Sequence, residues 1–486
     1  MEENKYYQSR HFLRLLHRYE KAIAEGRVPY FEADELTDIA EYYMTGKQDA
    51  KANQAIKAAI DMHPDSVDPQ IFLARQKMFY GHLDEARAII DTITEQDDCE
   101  VIYIRAELLI KEEHADEASD FLLEQMEMMQ DCLDTFLYDC TSIFMDYDEW
   151  ELAKQWMERL QDAYPTHPQL PIMEAEILMG LDAYEDALPM LQEILENEPY
   201  NSGAWNLLSE TYIALEKIPE ALEAADYSLA INPQDSDAML MKGNAYMHDE
   251  QMVEAIDCYT RYLEAQPDDL SVQISLCLCY SYEERYKEVL PLLEKAEQYA
   301  QKLPDRKAEL PQIYQMRALA LSRMNRNAEA LKAIDHAIKL SDDTQVWRYK
   351  MTKADVYLQT GKTREAENCF ADALKRSPEP GETLFDIALL YSNAGYNDCA
   401  IELLNDVWTL FGTEEGKFVV PYLANCYLHM NDMENFLLYL MLAPSCDREA
   451  TRALFRDRYP DIAPEDYYAY AYKEVHGIFP PTDKTT

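Results

Sequence analysis

NSGAWNLLSETYIALEKIPEALEAADYSLAINP, residues 201–233, reads as two amphipathic helices joined by a tight turn. Apolar residues from Trp205 to Leu215 recur at spacings of three and four, which puts them on one buried stripe. Pro219 opens the second helix at a first-turn position, where a missing N–H costs nothing. That helix stops before Pro233, because the residue preceding a proline resists the helical conformation. The stretch belongs to a series. Prolines stand at Pro165, Pro199, Pro233 and Pro267, each 34 residues after the last. A fixed period of this size predicts stacked repeats rather than one globular core.

Further out, residue pairs twelve apart mark where the two helices of a unit cross. They are Ala40/Ala52, Ala74/Ala86, Ala106/Ala118, Thr141/Ala153, Ala175/Ala187, Ser209/Ala221 and Gly243/Ala255. They continue as Cys277/Val289, Ala318/Ala330, Ala354/Ala366, Ala388/Ala400 and Ala424/Phe436. Most are small, and small residues let two backbones approach. A bulky one there overpacks at a cost of about 1–3 kcal/mol. Twelve pairs in phase, only 12 glycines and no strand-like alternation predict an all-α chain.

Trp205, Leu208, Ser209, Tyr212, Ala221, Ser228 and Pro233 fall at the spacing of a tetratricopeptide repeat, with Ala225 where an aromatic is usual. The chain therefore resembles that family over about residues 33–446. The resemblance implies a right-handed α-solenoid of stacked helix-turn-helix repeats, whose first helices line a concave, protein-binding groove. Residues 1–32 are expected to hold an N-terminal capping helix (4–25), with Phe12, Leu15, Leu16, Tyr19 and Ile23 on its apolar stripe. Repeats one to eight then occupy 33–302, and repeats nine to twelve occupy 303–446. Residues 447–486 are expected to form a C-terminal capping helix and tail, with Tyr467, Tyr468, Tyr470 and Tyr472 covering the last repeat and fraying after Gly477. The rhythm breaks once: Cys277 to Ala318 is 41 residues. Seven extra residues predict a longer second helix in repeat eight and an exposed connection bracketed by Pro304 and Pro311. That connection is read either as a hinge or as a stiff extension.

Lys and Arg number 44 against 92 Asp and Glu, a net charge of −48. Such a field repels phosphate backbones and argues against nucleic acid or an anionic membrane as partner. Ten cysteines without a CxxC pair read as small core residues in a reducing compartment, and cytoplasm is the expected location. No phosphate loop, HExxH, GxSxG or kinase set is present. No enzyme, cofactor or metal site is therefore expected, and His248 and His429, near the expected inner surface, read as solvated or hydrogen-bonded rather than as bases. Sequence leaves the oligomeric state open.

By the same resemblance, ligands are held at the second, fifth, ninth and twelfth positions of each repeat. The fifth gives Ile71, Tyr103, Tyr138, Ile172, Asn206 and Leu240. The ninth gives Glu41, Arg75, Glu107, Ser142, Glu176, Glu210 and Asn244. The twelfth gives Met44, Met78, Ile110, Met145, Met179, Ile213 and Met247. Chaperone-tail binders of the family use a basic clamp; here Asn206 and Asn244 are accompanied by Gly203, Glu210, Asp237 and Leu240, so that clamp is missing. A methionine-rich floor beside an acidic row favours a basic amphipathic helix or extended peptide. The alternative for the methionines is packing between adjacent helices. The favoured function is a non-enzymatic scaffold or adaptor. Its rival is a repeat array that regulates an enzyme or carries a catalytic site in its groove.

Overall fold

The computed structural model describes residues 6–7, 9–26, 30–46, 48–412 and 414–480. Among these are 27 α-helices, twelve successive pairs preceded by one helix and followed by two. Every one of the twelve-apart positions is buried, the alanines among them with no exposed surface at all. In repeat six, Ser202–Ala214 and Ile218–Ile231, the Ser209 hydroxyl donates 2.8 Å to the Ala221 carbonyl. The small pair is thus the crossing point itself. In repeat seven a Cβ on Gly243 would meet the Tyr259 ring at 2.7 Å, so the glycine makes room for that ring.

The turn inside each pair repeats in backbone detail. Lys217 N–H bonds to the Tyr212 carbonyl at 2.9 Å, Gln251 to Tyr246 at 2.9 Å and Ala183 to Leu178 at 2.8 Å. This six-to-one closure needs a left-handed residue one place earlier. Gly81, Gly361 and Gly395 fill that place in three repeats, but Glu113, Asp148, Asp182, Glu216, Glu250, Glu284, Asn325 and Asn431 fill it elsewhere. A chain otherwise poor in glycine accepts carboxylates in a conformation that side chains usually avoid.

In repeat six the first helix packs on its own second helix and on the first helix of repeat seven. The chain forms two compact units: residues 1–279 with 298–307, and residues 280–297 with 308–486. In the first, the N-terminal helix Arg10–Ala24 buries Phe12, Leu15, Leu16 and Tyr19 against Leu36, Ile39 and Ala40. Ile23 is only half-buried, and Ala22 takes the buried place. Residues 4, 5 and 8 of the expected helix lie outside the described residues.

Repeat eight contains the longer second helix, Tyr286–Lys302, at 17 residues against 14 in the four second helices before it. A 3-10 helix follows at Pro304–Glu309. Pro311 corrects the expectation for this connection. It is buried in the first turn of the next helix, Leu310–Arg323, where its fixed φ suits a helix start.

In the second unit, the last pair is Val420–His429 and Met433–Cys446. Two further helices, Arg448–Phe455 and Tyr467–His476, end the stack. Phe455, Tyr459 and Tyr467 join Phe436 and Leu440 in one buried cluster. Tyr468 and Tyr472 pack at its edge, whereas Tyr470 is exposed, contrary to its expected covering role. The expected frayed tail falls largely on 481–486, outside the described residues.

Candidate inner groove

The fifth, ninth and twelfth positions lie four and three apart on each first helix, so they share one face. Burial along that face is uneven. Tyr103, Met78, Ile110 and Met179 are buried between neighbouring helices, while Met44, Met145, Ile213 and Met247 are half-buried. The twelfth-position floor therefore alternates between packing and partial access. Tyr103 stacks on Phe136 with ring centroids 5.8 Å apart, and its hydroxyl pairs with the Asp139 carboxylate. Tyr138 is half-buried beside His167.

The ninth-position row divides into two chemistries. In the early repeats its charges are met internally. Tyr7 donates to exposed Glu41 at 3.3 Å, and Arg75 reaches Glu107 at 3.2 Å and Glu100 at 3.1 Å. Burial still pushes the Glu107 carboxyl above its usual range, against the opposing pull of Arg75. In repeats five and six the situation changes. Glu176 and Glu210 face a cavity of about 240 Å³ with Met179, Tyr184 and Leu207. Burial raises both carboxyls, and Glu210 and Asp146 raise Glu176 further. Glu210 is nevertheless exposed at its surface, so its rise carries little energetic weight. No cation or hydrogen-bond donor among the described residues offsets either carboxylate. The pair is an uncompensated negative site beside apolar wall.

In repeat seven the Tyr259 hydroxyl donates to Asn244 Oδ1 at 2.8 Å and lies 3.7 Å from the Met247 sulfur. Asn206 donates to Asp235 at 3.3 Å, and its own Oδ1 is buried without a partner among the described residues. Tyr259 was not among the residues read from sequence. Gly243, which admits the Tyr259 ring, was the available signal. Two of the larger cavities within the first compact unit share Tyr299 in their lining. One, of about 590 Å³, is walled by Met44, Phe72, Phe79, Tyr80, Tyr299 and Leu303. The other, of about 600 Å³, is lined by Leu240, Asn244, Ser275, Tyr299 and Arg306. His248 and His429 are exposed. No helix among the described residues is long and apolar enough to cross a membrane.

Tetratricopeptide-repeat family models match residues 48–100, 178–226, 210–269, 311–344 and 351–407. A search of curated protein sequences gives no match. Solved structures similar to the chain include YrrB, described as a tetratricopeptide-repeat protein with an unusual peptide-binding site. It is 16% identical with a TM-score of 0.34, covering 40% of this chain and 95% of its own. The Cut9–Hcn1 assembly is 15% identical with a TM-score of 0.35, covering 96% and 95%. A tetratricopeptide-repeat protein from Parabacteroides merdae is 16% identical with a TM-score of 0.36, covering 53% and 98%. The matched segments fall on helix pairs whose crossings and turns recur through the chain, and the chain belongs to the tetratricopeptide-repeat family.

Proposed function

We propose that this repeat protein is a non-enzymatic scaffold that holds a basic amphipathic peptide along the first helices of repeats four to seven. The family is in general a protein-interaction module, which supports a scaffold. The finer reading rests on one observation: Glu176 and Glu210 share a cavity with apolar neighbours and have no cation to balance them. A Lys or Arg side chain placed there supplies the counter-charge that both carboxylates lack. Tyr138, Met145 and Met247, each half-buried, offer apolar anchors on the same helical face. Exposed charge pairs add only about 0.2–1 kcal/mol each, so these anchors must supply most of the affinity.

The test is a library of synthetic peptides that share one amphipathic pattern and differ in the sign of their charges. Basic members are expected to bind and acidic members not. Glu176→Lys with Glu210→Lys should reverse that order. Replacing Met145 and Met247 with alanine should weaken the best basic peptide about tenfold or more, with helical content unchanged. Equal binding of both charge classes, unaffected by these variants, would remove the groove from the account.

A further inference from the structure

The segment that breaks the repeat rhythm has the chemistry expected of the ligand. Residues 298–307 read QYAQKLPDRK, with three cations, Lys302, Arg306 and Lys307, against Asp305 alone. Its local charge is thus +2 in a chain of −48. Tyr299 and Leu303 supply an apolar side at a spacing of four, one helical turn. The segment belongs to the compact unit of residues 1–279, although 280–297 before it and 308–486 after it do not.

Two cavities on inner positions of that unit share this segment as a wall. Tyr299 and Leu303 close the cavity that carries Met44, the twelfth position of repeat one. Leu303 is buried there, and Tyr299 lies near enough to Tyr80 to influence its ionisation. Tyr299 and Arg306 also line the cavity that carries Leu240 and Asn244, the fifth and ninth positions of repeat seven. Asp268 and Asp269 stand on that same wall, so the one strongly basic stretch of the insertion meets acidic surface.

We propose that residues 299–307 are a tethered pseudo-ligand. They occupy inner surface of the first unit, at repeats one and two and at repeat seven, and compete with a basic amphipathic peptide where the two sites overlap, at repeat seven. The inference rests on the groove reading above and adds its regulation. A tethered segment competes at an effective concentration of about 1 mM. If the free segment binds with a Kd of about 0.1 mM, about nine molecules in ten are closed, and an external peptide binds about tenfold more weakly than to an open groove.

The experiment uses the full chain and a fluorescein-labelled synthetic peptide of residues 298–307. Leu303→Asp should bind the labelled peptide about tenfold more tightly than the unaltered chain. Adding Met44→Ala and Phe79→Ala should abolish that gain. If Leu303→Asp loses helical content, Lys302→Glu with Arg306→Glu, both at exposed positions, replaces it and should show the same gain. Equal affinity for the unaltered and opened chains, or no binding to either, overturns the pseudo-ligand. The Glu176 and Glu210 charge reversals read the groove itself, so failure of the latch and failure of the groove give different results.

Discussion

Repeats six and twelve place different residues at the same crossing. In repeat six, Ser209 bonds directly to the Ala221 backbone, and nothing larger separates the two helices. In repeat twelve, Ala424 faces Phe436, whose ring lies 6.0 Å from Phe455 in the cluster that ends the stack. A small crossing leaves each helix pair free to receive the next pair. A bulky one directs packing toward a terminal cover. At this one position, the last repeat differs from repeat six in side-chain volume.

The largest effect tests the terminating end. Phe436→Ala should cost about 3–5 kcal/mol locally. Because repeats depend on their neighbours, hydrogen exchange should speed up in Arg448–Phe455 and Tyr467–His476 while repeats three to six keep their protection. Uniform loss along the chain would show a single cooperative core instead. Ala221→Trp tests the continuing repeat. It should overpack by about 1–3 kcal/mol and loosen repeats five to seven before the rest, read by the same exchange profile.

A smaller effect concerns the turn between the crossing helices. Glu216 holds φ 57 with an exposed side chain. Glu216→Gly should stabilise by about 1 kcal/mol or less, since relief of left-handed strain is partly offset by glycine's greater unfolded freedom. A lower urea midpoint would contradict that. The smallest effect lies at Glu176. Its carboxyl is raised in the folded state, so ionisation weakens the fold at neutral pH, and that cost disappears as pH falls through the raised value toward the unfolded one. Glu176→Gln should therefore raise the urea midpoint slightly at neutral pH, with the gain closing in acid. Affinity for a basic peptide should move oppositely, falling as the carboxylate takes up its proton.

The fold was legible because the crossing pairs sit on a strict period and their size is a direct packing requirement. The turns were less so. Carboxylates at left-handed positions carry no local signal, and only the hydrogen bond from Lys217 back to Tyr212 exposes the role of Glu216. The groove was half legible. Periodicity puts Met145 and Met179 on the same face, but it cannot say that a neighbouring helix buries Met179 and leaves Met145 partly open. The insertion was counted correctly from sequence, yet counting gives no path. That Leu303 turns inward and Pro311 starts a helix depends on contacts far apart in the chain.

The central claim, that a basic amphipathic peptide lies on the first helices of repeats four to seven, is tested most directly by oxidative footprinting. Methionine converts readily to its sulfoxide where solvent reaches it, so the groove carries its own reporters. With the best basic peptide of the library bound, Met145 and Met247 should oxidise several-fold more slowly. Met128, Met430 and Met441, all exposed and none at an inner position, should be unchanged. Unchanged oxidation of Met145 and Met247, together with protection of Met430 or Met441, would contradict the account and move the binding surface off the inner face.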